Sequence, residues 1–456
     1  MREFGLRSVL VAAALALSLP GVAIAHNTYV DRSDGDDGGG TNDCSAKAHP
    51  CATLGRGIGQ AGAGDTVFVG GDPAPFTEPQ ELGDGKSIVQ KDFSKKHSVD
   101  TSGKTVLDTG ADSDPALEIV SDAGKVKGLT IRSLGTYAVQ VDGAAKIMHD
   151  RFDEEGTHTT DVAILGGTGS VEVTHDTFKD TTPLTSEGRF GVVTSDTGEV
   201  LIAHNQFKGL ATGIGVGAGA PAITDNRISG SHVVGMFGNA VSVSGGGPSM
   251  TGNEITNPDE PPMGSFINGV LVIGSTASLS STNDLIQGFS YGIETQNAGT
   301  LTIDSDVILD SSLDGIGLID GGSPDAALGN ANATNLTVTG SGLADVEDNA
   351  HLDLDSSVAG DDGIDAFGSG SCTITNSRGP AGGGPSGCHS FSVNSNPKLK
   401  ADGYHLKASS PMIDAGNPAP PSGGALDIDG DKRALDGTGN CNGPKQRDIG
   451  ADEFRC

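Results

Sequence analysis

A chain of 456 residues with 28 Lys and Arg against 59 Asp and Glu, a formal net charge of -31, is too acidic to be expected on nucleic acid or on an anionic membrane surface. With no Trp and four Tyr it offers few exposed aromatic faces on which sugar rings could stack. Gly makes up 71 residues, about twice its usual share and without a collagen period, which assigns the excess to turns.

Residues 1–25 read as a secretory signal peptide. Arg2 and Arg7 form a basic start, an apolar run spans Val9 to Leu19, and Ala23-Ile24-Ala25 offers a small-x-small cleavage site. The run is too short for a membrane span, and no later run approaches 18 apolar residues. The mature chain is expected to begin near His26, secreted to the medium or the cell surface, with no membrane span. Loss of Arg2, Glu3 and Arg7 leaves 26 basic and 58 acidic side chains, or -32. Cys44, Cys51, Cys372, Cys388, Cys441 and Cys456 form an even set, which in an exported chain reads as disulfides. Pairing sequence neighbours, 44–51, 372–388 and 441–456, is the simplest of the fifteen arrangements.

Residues 26–110 read as an N-terminal cap and first coils. In CATLGRGIGQAGAGDTVFVGG (51–71), Leu54, Ile58 and Ala61 share one face of a short helix that begins after Thr53 and ends at Gly62 to Gly64. TVFVGG then reads as the first strand. Residues 111–345 carry a repeat. VEVTHDTFKD (171–180) returns as KIMHDRFDEE (146–155), VLIAHNQFKG (200–209), PAITDNRISG (221–230), SMTGNEITN (249–257) and LTIDSDVILD (301–310). The apolar residue two after each Asx runs Phe152, Phe178, Phe207, Ile228, Ile255, Leu285, Ile308, at spacings of 26, 29, 21, 27, 30 and 23. Between these phrases lie further alternating segments such as FGVVTS (190–195) and NGVLVIG (268–274).

A period in the twenties, made of short alternating strands with Gly and Asx at the bends, marks a solenoid. The fold class expected is all-β, a right-handed parallel β-helix. Its N-terminal helix covers one open end, because uncovered sheet edges invite aggregation. Residues 346–456 read as an acidic exit loop, from about Leu343 to Pro385, followed by a small loop-rich C-terminal module.

YVD (29–31), PCATL (50–54) and GDTVFVGG (64–71) resemble the opening of secreted bacterial β-helix proteins with a pectin-lyase-like fold. NPKLKADGYHLKASSPMIDAGNP (396–418), DIDGDKRALDG (427–437) and RDIGADEF (447–454) resemble the C-terminal module of the choice-of-anchor Q group. The resemblance implies a fold and an extracellular or cell-surface location. That group carries no single activity. The chain departs from the group's name in ending at Cys456 without an anchor helix, so release stands beside attachment as an expectation.

Three sets of residues could carry chemistry. His149, His175 and His204 precede the turn Asx in successive repeats and would stack at one corner, as metal ligands or a proton relay, or as a polar ladder. Asp153, Lys179 and Lys208 hold equivalent outward positions, with Glu154 and Asp180 beside them. These types suit β-elimination on a uronate, and equally a column of exposed charge. Asp427, Asp429 and Asp431 imitate a calcium loop, but Lys432 stands where its Gly belongs, so DIDGDK reads as a structural turn. The stretch from Ile228 to Ser377 has no Lys or Arg and 19 Asp and Glu; Asp304, Asp306, Asp310, Asp314 and Asp320 are dense enough to attract calcium.

The leading functional expectation is a secreted, mainly non-enzymatic monomer whose solenoid face contacts extracellular polysaccharide or the cell envelope. It needs no cofactor, calcium being the ion its acidic half would draw. The rivals are a calcium-assisted, pectate-lyase-like polysaccharide lyase on an acidic glycan and a structural surface spacer.

Overall fold

The structure, a computed structural model, describes residues 26–454 apart from 33, 39–41, 71–74, 92–104, 110–114, 123, 133–134, 155–159, 168, 181–188, 196, 231–236, 259–265, 298, 320–328, 348, 360–362, 368, 380–387, 389–390, 392–394, 419–425 and 434–445. The signal-peptide segment, Asp320 and the expected 441–456 bridge lie outside the described residues.

The described strands form three parallel sheets, of fourteen (sheet A), ten (sheet B) and twelve strands (sheet C). The chain passes from A to B to C and back to A, and each strand pairs with its equivalent in the next coil. This is a parallel β-helix. Its core is a set of ladders. Val126, Ile147, Val173, Ile202 and Ile223 align in sheet A. In sheet B, Phe152, Phe178 and Phe207 stack with ring centroids 4.6 Å apart and planes within 6°. That spacing is the distance between neighbouring strands, so register alone places one ring on the next.

Two expectations about markers change. The ladder continues Ile255, Ile286, Ile308, so Ile286 and not Leu285 is the marker of its coil. The reason is the double Asx there. Asn283 takes the left-handed corner position, φ 57°, and Asp284 the buried position after it. The Gly excess also has a second cause. Gly191, Gly269 and Gly292 lie inside sheet C strands, where an added Cβ would sit 2.7 Å from Phe207 or 2.4 Å from Ile286 or Ile308. Those positions need Gly for close packing of sheet C over the sheet B ladder, not for a turn.

The bends from sheet A to sheet B between His149 and Asp306 are built the same way. One left-handed residue (φ 56° at His149, 60° at His175, 57° at His204, 52° at Asp225) precedes a buried Asx. The N–H of Asp150 donates to Asp176, that of Asp176 to Asn205, that of Asn205 to Asn226 and that of Asn226 to Asn253, all at 2.7–3.0 Å. The Asn side chains also donate back to the preceding coil, Asn205 to the Val173 carbonyl and Asn226 to that of Ile202.

At the N-terminus the helix Leu54–Gln60 forms as expected. Thr53 caps it by accepting from the Arg56 N–H, and Leu54 and Ile58 are buried. TVFV is not the first strand, however: Asn27–Val30 precedes it and pairs with Thr66–Val69 at the edge of sheet A. Disulfides join Cys44 to Cys51 and Cys372 to Cys388, as sequence proximity suggests.

The far end differs most. The stretch from Leu343 to Pro385 is not an exit loop; His351–Asp355, Ile364–Ala366 and Ser371–Thr375 carry the solenoid onward. Asp, Ser and Gly obscured the alternation there, yet Leu352 and Leu354 still face the core. The C-terminal module folds back over the outside of sheet B. Leu406, Met412 and Ile449 pack on Val358, while Tyr404, Ile428 and Ala451 cover Leu285, Val307 and Leu309. This is why sheet B turns apolar outside as well as inside in its later coils.

Candidate functional site

The C-terminal module divides the outer face of sheet B into a covered half and an open half. The open half carries the expected column. Asp153 pairs in register with Lys179 and Lys179 with Lys208. Thr177 and Gln206 align beside them, with Arg151 and Arg227 on the coils before and after. Arg151 is neutralised by Asp153, and Arg227 by Glu254 at 3.1 Å. Lys179 and Lys208 make no ion pair among the described residues.

Asp180 does not stand outward beside the lysines. It is buried and faces Arg189 at 3.3 Å, and burial lowers that guanidinium to about 10. The side chain of Glu154 lies outside the described residues.

His149, His175 and His204 do form the expected column, four residues before Asp153, Lys179 and Lys208 respectively. Their ring centroids are 5.0 and 4.9 Å apart, tilted by 32° and 38°. All three are exposed, and His204 Nδ1 lies 3.8 Å from Asp225. Partial burial, with Lys127 and His175 adding repulsion, holds His149 below the usual imidazole range. Rings stacked at strand spacing point in parallel and do not converge, so the column is a poor chelate. Histidines and lysines together make a patch three coils tall, the histidines at the bend and the lysines on the sheet B strand that follows it.

The four described aspartates of that set, Asp304, Asp306, Asp310 and Asp314, do not gather. Asp306 is buried in the bend ladder, and Ser281 Oγ lies 2.5 Å from it and 2.7 Å from Asp284. Asp304 holds Asn335 and Thr334 at 2.8 and 3.1 Å, and Asp310 holds Gln287 at 2.9 Å. Of these four, Asp314 reaches the outside of sheet C. The carboxylates that matter on that face were missed in the sequence. Burial, then Asp314, Glu347 and Asp365, lifts Asp345 to about 6. Burial also raises Glu294, although Asn268 and Gln296 both donate to it. The middle outward positions of YGIETQ and GLADV could have revealed the pair, since Glu294, Gly317 and Asp345 align in register.

Among the described residues, one set of three or more His, Cys, Asp or Glu brings its ligand atoms within 4.8 Å of one another: His405, Asp429 and Asp452, in the C-terminal module. Asp427 of the same loop is structural, accepting the N–H groups of Asp429, Asp431 and Glu453. No helix of the described residues is long and apolar enough to cross a membrane.

A family model for the right handed beta helix region matches residues 116–286, which include both columns of the patch. It adds the hand of the coil, which is right. A solved structure described as the crystal structure of pectate lyase Pel9A is similar over 95% of this chain and 98% of its own, at 14% identity and a TM-score of 0.38. Among curated proteins nothing matches this chain.

Proposed function

We propose that this chain is a secreted protein that binds an acidic polysaccharide, in the medium or the cell envelope, along the open outer half of sheet B. One observation carries the reading. Lys179 and Lys208 stand in adjacent coils and make no ion pair among the described residues, edged by three histidines, on a molecule of net charge -31. A polymer with regularly repeated carboxylates can follow such a column, one charge per coil, where a small ligand would find no enclosure. The signal-like residues 1–25, the two disulfides and the resemblance to the choice-of-anchor Q group support the location.

Binding is favoured over lyase chemistry by what surrounds the lysines. The nearby described carboxylates are engaged, Asp153 by Arg151 and Asp180 by Arg189, and among the described residues no acidic trio stands beside Lys179 or Lys208. The test is calorimetric titration of residues 26–456 with polygalacturonate and with a neutral glucan. The acidic polymer alone should bind, and binding should weaken with salt. A Lys179→Glu/Lys208→Glu variant should bind about tenfold more weakly, roughly 1.4 kcal/mol. Equal binding of both polymers, or an unaffected variant, would refute the proposal. Unsaturated uronate appearing by absorbance would replace it with a lyase.

A further inference from the structure

Three loops of the C-terminal module meet above sheet B, and each brings one side chain to a common point. His405 directs Nε2 to Asp429 Oδ2 at 2.8 Å and Nδ1 to Asp402 Oδ2 at 2.8 Å. Asp452, buried, accepts the Leu406 N–H at 2.7 Å, and its ligand atom lies within 4.8 Å of those of His405 and Asp429. Each of these residues is held from outside the trio. Asp402 accepts the N–H groups of Tyr404 and His405, which sets the backbone under the imidazole. Asp427 accepts from the Asp429 and Asp431 N–H groups and so sets the neighbouring loop.

We propose that His405 Nε2 and the carboxylates of Asp429 and Asp452 form a site for one divalent transition-metal ion, zinc being the best match, with Asp402 orienting the imidazole. The donor set decides the class of ion. One imidazole nitrogen with two carboxylates suits zinc and its neighbours, whereas calcium takes oxygen ligands throughout. An imidazole whose far nitrogen is fixed by a carboxylate is the usual setting of a metal-bound histidine. A metal ion would take the place of the Nε2 proton, which passes to solvent, and relieve the crowding of carboxylates.

The ion would act as a clamp. The same three loops hold the module to the solenoid: Gly403 accepts from Thr339 Oγ1 at 3.1 Å, the Ala451 N–H donates to Thr337 Oγ1 at 2.8 Å, and Tyr404 and Ile428 cover Leu309. Tying the loops together fixes that cover in place. The site is separate from the lysine patch and does not depend on the binding role.

The test uses residues 26–456 stripped with chelator and titrated with zinc, followed by calorimetry and thermal unfolding. One equivalent should bind and raise Tm, and chelator should reverse the rise. His405→Ala and Asp429→Asn should lose both effects. Asp402→Asn, which keeps all three ligands, should retain the stoichiometry and weaken Kd about 10- to 100-fold. The His149→Ala/His175→Ala/His204→Ala variant should respond as wild type. The clamp is refuted if wild type binds no zinc, if binding survives in a folded His405→Ala variant, or if the triple variant loses it. Unchanged affinity in Asp402→Asn would equally refute the orienting role.

Discussion

The backbone N–H of Asp150 donates to Asp176 Oδ1 at 2.7 Å, joining two coils through a carboxylate that is 1% exposed. In the next three coils Asn fills this position and its NH2 donates to a carbonyl of the preceding coil, as Asn205 does to Val173. Asp176 Oδ2 stands in place of that NH2 with no hydrogen-bond partner among the described residues. Register sets it toward the Ile147 carbonyl, so only the protonated acid can complete the pattern.

Burial, then repulsion from Asp150, raises Asp176 well above the usual carboxylate range. A carboxyl with a raised folded pKa binds more protons folded than unfolded, so stability falls as pH rises from about 4, its unfolded value, through the folded one. Asp176→Asn should therefore stabilise the protein at pH 7 by about 1–3 kcal/mol, the cost of an unsatisfied buried group. The gain should vanish near pH 4. Asp284, raised by burial to about 6, should add a like fall between about pH 4 and 6. Denaturant unfolding across this range would check both; a gain that persists at pH 4 contradicts the assignment.

Phe178 is sandwiched between Phe152 and Phe207 at 4.6 Å on either side. Phe178→Ala leaves a gap that neighbouring coils, held by their ladders, cannot close. The expected loss is about 3–5 kcal/mol by urea unfolding. A loss below 1 kcal/mol would mean that the coils collapse around it.

His175 sits at φ 60°, where Asn is tolerated and a β-branched residue is strained. His175→Val should cost about 1–2 kcal/mol, and His175→Asn close to nothing. If the two variants unfold at the same denaturant concentration, the histidine column is kept for some reason other than backbone shape.

The Cys372–Cys388 bridge spans a sequence separation of 16, joining the last sheet A strand to the segment beyond it. Replacing both cysteines with Ser should lower stability by about 3 kcal/mol, the loop-closure entropy of a ring this size. The variant should also exchange amide protons faster at Ser371–Thr375 than at Thr300–Asp304. Uniform loss of protection would show that the whole solenoid unfolds as one unit.

The β-helix was legible because its repeat is written in side chains that stack on their own kind. Phe152, Phe178 and Phe207 recur at coil length, and the Asx of each phrase reads as the bend; the structure sets the left-handed residue one place earlier, at His149, His175 and His204, and buries the Asx. The helix Leu54–Gln60 was equally plain, from one apolar stripe and one capping Thr. Where two Asx stand together, at Asn283 and Asp284, the pattern alone could not say which bends and which is buried. Only the hydrogen bond from the Asn253 N–H to Asp284, 2.7 Å, decides it.

What tertiary structure alone decided concerns residues far apart in the chain. Lys179 and Lys208 were readable as a column, but whether Asp180 stood beside them depended on Arg189 drawing it inward. The folding of the described C-terminal residues, Tyr404, Ile428 and Ala451 among them, back onto sheet B has no local signature, because their partners Leu285, Val307 and Leu309 look like ordinary strand residues until their outer side is covered. His405 and Asp452 are 47 positions apart with no spacing rule to link them. Local sequence sets local periodicity and bends; contacts across long loops depend on where the coils carry the chain, and that is settled only when the whole solenoid has stacked.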